Sequence, residues 1–148
     1  GTPAPAARAA YAAPRARIAE ARWLAERRLP HALIDLSDGL AGDVAHIAAA
    51  SQVRIILDAA SIPVHEVVSD GARSRDDALR LALGGGEDYE LCFTSEAGAV
   101  QPLVAGFATR FGLPLTRVGW VEEGAGVALR TDAGEIRPLD ISGYRHFG

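Results

Sequence analysis

The sequence has 148 residues, a formal net charge of −4, 49% apolar residues and 23% charged residues. This composition is typical of one globular domain with a buried core and argues against a disordered chain. The acidic balance disfavours nucleic acid as a partner, and no run of 18 apolar residues predicts a membrane span. All 15 basic residues are arginine, which excludes a phosphate-binding loop of the type G-x-x-x-x-G-K-[ST].

The single thiol, Cys92, excludes an internal disulfide and a cysteine-based zinc cluster. It fits a reducing compartment, and no signal peptide is evident, so we expect a cytoplasmic location. The sequence begins at Gly1 and contains no methionine, which suggests a segment of a longer polypeptide. Residues 1–13 are rich in proline and alanine and are predicted to be a flexible linker before a domain at 14–148.

The first predicted elements are a helix at 15–28, between Pro14 and Pro30, and a buried strand at 31–37. A second helix follows, for which Ser37 or Asp38 is the expected N-cap. Its apolar stripe is predicted to be Leu40, Val44, Ile47, Ala48 and Ser51.

The later pattern alternates strands and helices and predicts a mixed β-sheet flanked by helices, in the α/β (α+β) class. Ser74 is the expected cap of one helix, and the strand at 87–95 should have two unlike faces. Asp132 to Gly134 should form the turn of a C-terminal hairpin. The predicted ranges are a strand at 53–59, helices at 74–83 and 97–111, and strands at 115–121, 126–131 and 134–139.

Two acids and a hydroxyl, Asp35, Ser37 and Asp38, lie where the strand at 31–37 is predicted to turn into the next helix. Carboxylates there, beside free backbone N–H groups at the helix start, could form a cradle for Mg²⁺ and phosphate. The alternative is structural: Ser37 or Asp38 caps the helix, and Asp35 pairs with an arginine.

Two further stretches are candidates for binding. Three glycines precede Glu87 and Asp88, so a ligand could approach the backbone there, although a helix C-cap and a solvated strand face explain the same residues. Tyr144 lies in an aromatic C-terminal segment that could stack on a heterocycle or simply pack on the body.

Metal binding by histidine and nucleophilic catalysis are not predicted. His31, His46 and His65 lack metal-like spacing, so we expect them on the surface or at caps. Cys92 falls within a strand without an obvious base, and no catalytic nucleophile is assigned.

Taken together, these stretches resemble the C-terminal half of the bacterial thiamine-monophosphate kinase family. The matching motifs are "IDLSDGLAGDVAHIAAAS", "LGGGEDYELCFT" and "LDISGYRHF", in the family's order, and "PRARIAEARWLA" resembles an earlier family segment. The D-x-S-D-G pattern is shared more widely with aminoimidazole ribonucleotide synthetase and selenophosphate synthetase. The resemblance covers about residues 14–148 and implies the superfamily's three-layer C-terminal domain.

The resemblance implies an ATP-dependent transfer of a phosphoryl group onto thiamine monophosphate, with several Mg²⁺ ions and no phosphoenzyme. Residue by residue, it implies that Asp35 and Asp38 are Mg²⁺ ligands and that Ser37 contacts ATP. Glu87 and Tyr144 take the family's substrate-binding positions. These roles agree with the chemistry, because phosphoryl transfer between two polyanions requires positioning and charge neutralisation.

The family's N-terminal domain, with further Mg²⁺ ligands, most nucleotide contacts and the homodimer interface, is absent from this sequence. We therefore expect this segment to fold but to have little or no kinase activity alone. The alternatives are another ATP-dependent enzyme of the superfamily, of the selenophosphate or hydrogenase-maturation type, or a non-catalytic domain for assembly or ligand sensing.

Overall fold

The computed structural model describes residues 16–64, 72, 74–85 and 90–140. Within these residues helices and strands alternate, as the pattern predicts. The elements are α1 (Ile18–Glu26), β1 (Ala32–Asp35), α2 (Leu40–Ser51), β2 (Arg54–Asp58), α3 (Arg75–Gly84), β3 (Leu91–Thr94), a 3₁₀ turn (Gln101–Leu103), α4 (Val104–Phe111), β4 (Gly119–Glu122), β5 (Gly126–Arg130) and β6 (Ile136–Pro138). No described helix is both long and apolar enough to cross a membrane.

A four-stranded mixed sheet in the order β4-β2-β5-β6 forms the centre of the domain. Strand β2 is parallel to β5 and antiparallel to β4, while β5 and β6 form the predicted hairpin. Its turn is closed by the Thr131 amide, which donates to the Glu135 carbonyl at 2.8 Å. The predicted mixed sheet flanked by helices is therefore confirmed.

A second, two-stranded sheet pairs β1 with β3 in antiparallel register, so that Asp35 lies opposite Leu91. Two apolar clusters flank β3. Cys92 packs against the main cluster around α2 and β2, whereas Phe93 packs against a second cluster that contains Trp23 and Phe107. Neighbouring residues of β3 therefore pack against different apolar clusters, one on each face of the strand.

Three other details differ from expectation. Strand β1 is only half buried, because Leu33 and Asp35 are exposed on one face while Ile34 packs against the main cluster. Ser51 ends α2 on its exposed side rather than on the apolar stripe. Helix α4 begins at Val104 instead of 97, because Gly98 has a φ of +81° and Pro102 restricts the backbone before it.

Helix α3 ends against the start of α2, and two glycines permit the contact. Gly39 has a φ of +92°, and a Cβ built on it would lie 2.9 Å from the carbonyl carbon of Gly84. Both the backbone conformation and the close approach therefore require glycine at 39. As predicted, Ser74 caps the other end of α3, where its Oγ accepts a hydrogen bond from the Asp77 amide at 3.1 Å.

Asp58 fastens the end of β2 to β5 and to the turn that follows. Its carboxylate is bound by Arg130 at 2.5 and 3.2 Å and accepts further hydrogen bonds from Ser61 Oγ and the Ala60 amide. The hydrogen bonds from Arg130 hold the pKa of Asp58 below its ordinary value of 3.8, although burial opposes this shift. Arg130 also lies over the Trp120 ring, 5.3 Å from its centroid.

We expect Gly39→Ala to lower the free energy of unfolding by about 1–3 kcal/mol, because it strains the backbone and drives a methyl group into Gly84. Gly42→Ala is the matched control, since the new Cβ would meet only Asp38 Cβ at 3.4 Å within a regular helix. That variant should be neutral or stabilised by up to about 1 kcal/mol. Urea unfolding measures both; equal effects would contradict the close approach.

We expect Asp58→Asn to lower the free energy of unfolding at pH 7 by about 1 kcal/mol, since solvent screens part of the pair. The folded pKa of Asp58 is lowered, so its contribution is present above the unfolded value near 3.8 and is lost as pH falls through the folded pKa. The thermal stabilities of the two proteins should therefore converge once the pH falls below the lowered pKa of Asp58. A difference that persists unchanged into strong acid would contradict this assignment.

Candidate functional site

Two of the predicted site residues, Ser37 and Asp38, lie on the segment that joins β1 to α2, residues 36–39, which we call the acidic turn. A third, Asp35, is the last residue of β1. Gly39 is the residue before α2, and no side chain caps this helix. The prediction that Ser37 or Asp38 caps α2 is therefore wrong. Both side chains are exposed instead of folding back onto the helix start.

Asp43 holds the acidic turn from within α2. Its Oδ2 atom accepts hydrogen bonds from the backbone amides of Ser37 at 2.9 Å and Asp38 at 3.0 Å. The residue is only 2% exposed. This resembles the back-reaching arm of a capping box, in which a carboxylate in the first helical turn bonds to backbone N–H groups before the helix.

This arrangement removes two amides from the expected phosphate cradle. The sequence interpretation placed the acids beside free backbone N–H groups at the helix start, and just before that start the amides of Ser37 and Asp38 are occupied by Asp43. Asp43 was not among the predicted site residues. The available signal was an acid at the fourth residue of a mostly apolar helix, "LAGDVAHI", where a charge is costly to bury without donors.

The predicted metal ligands Asp35 and Asp38 are both exposed. None of the arginines that the structure describes pairs with either carboxylate or with Asp43. The structural alternative, an arginine partner for Asp35, thus finds no support in the described residues. Because Asp35 is exposed at the end of β1, its charge has little desolvation cost, and its surroundings do not by themselves require a cation.

One group within the described part of the chain could hold a metal ion. Ligand atoms of Asp38, Asp43 and His46 all lie within 4.8 Å of one another. His46 is exposed, as predicted, but three residues after Asp43 it lies on the same side of α2. Sequence spacing did not indicate this group, which includes Asp38 but not Asp35. Carboxylate oxygens suit Mg²⁺, and an added imidazole also suits other divalent metals.

The glycine-rich segment, residues 84–90, is joined to the acidic turn at both of its described ends. Gly84 contacts Gly39, and the Leu36 amide donates to the Glu90 carbonyl at 2.8 Å. Arg17 of the segment before α1 binds the Glu90 carboxylate at 2.5 Å. The structure therefore brings the described flanks of this segment to the acidic turn. The predicted binding residues Glu87 and Tyr144 lie outside the described residues.

Cys92 lies behind the acidic turn on β3 and is not a nucleophile at neutral pH. Burial raises the pKa of its thiol to about 11, and the negative charge of Asp43 contributes to the increase. The thiol therefore stays protonated.

The comparisons with known proteins agree with the predicted resemblance. Residues 4–132 match the family described as AIR synthase related protein, C-terminal domain. The thiamine-monophosphate kinase of Escherichia coli K12 is 39% identical over 125 residues, which are 82% of this chain and 37% of the relative. The chain thus spans about 37% of the length of that curated relative.

Solved structures give the same result. The thiamine-monophosphate kinase of Stenotrophomonas maltophilia K279a is 41% identical with a TM-score of 0.71, over 84% of this chain and 37% of that chain. AaThiL complexed with AMPPCP and TMP is 30% identical with a TM-score of 0.61, over 82% of this chain and 35% of that chain. Hydrogenase maturation proteins of the HypE type share the fold. The chain belongs to the family of AIR synthase related proteins, as a C-terminal domain similar to that of thiamine-monophosphate kinases.

Proposed function

We propose that this chain is the C-terminal part of a kinase that transfers the γ-phosphoryl group of ATP to thiamine monophosphate, which gives thiamine diphosphate. The observation that carries the proposal is the acidic turn. The amides of Ser37 and Asp38 donate hydrogen bonds to Asp43. The carboxylates of Asp35 and Asp38 are exposed and have no arginine partner among the described residues. A relative complexed with AMPPCP, a stable ATP analogue, and TMP supports both substrates.

Asp35 and Asp38 are the proposed Mg²⁺ ligands, and Ser37 is the proposed ATP contact. The donor set fits, because exposed carboxylate oxygens are the ligands that Mg²⁺ prefers, and the acids are otherwise uncompensated in the described structure. When bound, Mg²⁺ supplies positive charge between the carboxylates and the polyphosphate. The chain's own contribution is to hold the Ser37 and Asp38 side chains outward, because the amides of these two residues donate to Asp43 and not to the phosphate.

Glu87 and Tyr144 are the proposed thiamine contacts. Thiamine carries a cationic thiazolium ring and an aminopyrimidine, which suit a carboxylate and an aromatic face. Support for Glu87 comes from its neighbours along the chain, because Gly84 and Glu90 both contact the acidic turn. Glu87 lies three residues along the chain from each of these contacts.

The remaining parts of the active site are proposed to come from an N-terminal domain. Matched relatives are more than twice as long as the shared region, since it covers 37% of the E. coli kinase. That domain would supply further Mg²⁺ ligands, most nucleotide contacts and a homodimer interface, in a cytoplasmic enzyme. The chain alone is therefore proposed to be inactive.

We expect no thiamine diphosphate from this chain alone and turnover once it replaces the C-terminal part of the S. maltophilia kinase. In that chimaera, Asp38→Asn should lower kcat/KM by about 100-fold or more, because a lost metal contact removes several kcal/mol of transition-state stabilisation. Chromatographic detection of thiamine diphosphate measures the rate, and the parental kinase serves as the reference.

Asp76→Asn is the matched control, because Asp76 is an exposed aspartate in the first turn of α3, outside the acidic turn. Its rate should equal that of the unmodified chimaera. A folded chimaera without turnover would contradict the proposed activity. Full turnover after both Asp35 and Asp38 are changed to asparagine would contradict the proposed metal ligands.

A further inference from the structure

We propose that Asp43 is a positioning residue. By accepting hydrogen bonds from the Ser37 and Asp38 amides, it directs the side chains of these two residues towards metal and nucleotide and keeps their amides from binding phosphate directly. The inference rests on the proposed function, because it assigns Asp43 a role beside the proposed ligand Asp38. The role differs from that of a ligand, since Asp43 acts through the backbone of the acidic turn.

Burial and hydrogen bonding support this role. Asp43 is one of three charged residues among the described buried polar groups, with only 2% of its surface exposed. A carboxylate in such surroundings is costly unless it is hydrogen-bonded, and two amide donors at 2.9 and 3.0 Å offset that cost. Its place in the first turn of α2 adds the favourable field of the helix N-terminus. These two hydrogen bonds and the helix field therefore hold the Asp43 carboxylate in place.

The two hydrogen bonds fix the orientation of the acidic turn. With their N–H groups directed inward to Asp43, Ser37 and Asp38 project exposed side chains. The Asp43 carboxylate occupies both of these amides, so they are not available to a phosphate. At these two residues a polyphosphate is left with the side chains and a cation held by them as its contacts.

A direct metal role for Asp43 is the competing explanation, because Asp38, Asp43 and His46 have ligand atoms within 4.8 Å of one another. Against it, Oδ2 of Asp43 already accepts two hydrogen bonds. The two explanations differ for His46. A three-residue metal site requires its imidazole, whereas a positioning role for Asp43 does not.

The test uses the ¹⁵N-labelled chain and Mn²⁺ as the probe, with amide exchange and line broadening at residues 36–40 as readouts. Asp43→Ala should remove the exchange protection of the Ser37 and Asp38 amides and weaken Mn²⁺ binding by about 10-fold or more, as for other residues that orient metal ligands. Asp43→Asn keeps an acceptor oxygen and should retain the protection. His46→Ala should change the affinity by less than about twofold, because a positioning role does not use the imidazole.

Asp58→Asn is the control for loss of a buried aspartate, since Asp58 is 8% exposed and also accepts a turn amide, away from the acidic turn. It should lower thermal stability without changing Mn²⁺ binding. On the unmodified chain, pyrophosphate alone should leave the Ser37 and Asp38 amide resonances in place, whereas pyrophosphate with Mg²⁺ should shift neighbouring signals. This measurement remains decisive if Asp43→Ala does not fold.

The outcomes separate the inference from the proposed function. If Asp38→Asn abolishes Mn²⁺ broadening but Asp43→Ala changes neither readout, the positioning role is wrong and the metal site stands. If His46→Ala weakens binding as much as Asp43→Ala while the amides stay protected, Asp43 is a direct ligand and the inference is overturned. If Mn²⁺ never broadens residues 36–40, or Asp38→Asn has no effect, the proposed metal site itself fails. If pyrophosphate without metal shifts the amide resonances of both Ser37 and Asp38, the claim that Asp43 keeps these amides from phosphate is wrong.

Discussion

The hydrogen bonds from the Ser37 and Asp38 amides to the buried Asp43 carboxylate determine how the candidate site is arranged. A helix N-terminus normally attracts an anion, and here the chain places one of its own carboxylates in the first turn of α2. Because this carboxylate holds the Ser37 and Asp38 amides inward, the side chains of these two residues face solvent, where Asp38 can attract a cation. This explains why acids occur at a turn where a phosphate-binding protein would have glycines and free amides.

The acidic turn is also held by packing on several sides. Ile34, just before it, packs into the main apolar cluster, and Gly39, at its end, contacts Gly84 of α3. The Leu36 amide joins it to β3 through the Glu90 carbonyl. These contacts tie the turn to Gly84 and Glu90, the described flanks of the glycine-rich segment. In phosphoryl transfer such positioning is a large part of catalysis.

Much of the fold could be predicted because β2 contains the apolar run Ile55 to Leu57 and α3 carries a clear Ser74 cap. The errors arose where tertiary contacts override local patterns. A Ser-Asp pair before a helix ordinarily indicates an N-cap, yet a carboxylate four residues inside the helix takes the amides instead. Both faces of β3 are packed, because Cys92 lies against the main apolar cluster and Phe93 lies against a second cluster around Trp23. Asp35 and Asp38 could be selected from the motif, but Asp43 and His46 depend on helix geometry that spacing rules for metal sites did not cover.

A crystal structure of the chain joined to a kinase N-terminal domain, with Mg²⁺ and AMPPCP, tests the central claim most directly. The account predicts Mg²⁺ at about 2.0–2.1 Å from a carboxylate oxygen of Asp38, with the Ser37 and Asp38 amides still donating to Asp43. Phosphate oxygens bound directly to those two amides, with Asp43 turned away and no metal at Asp38, would contradict it.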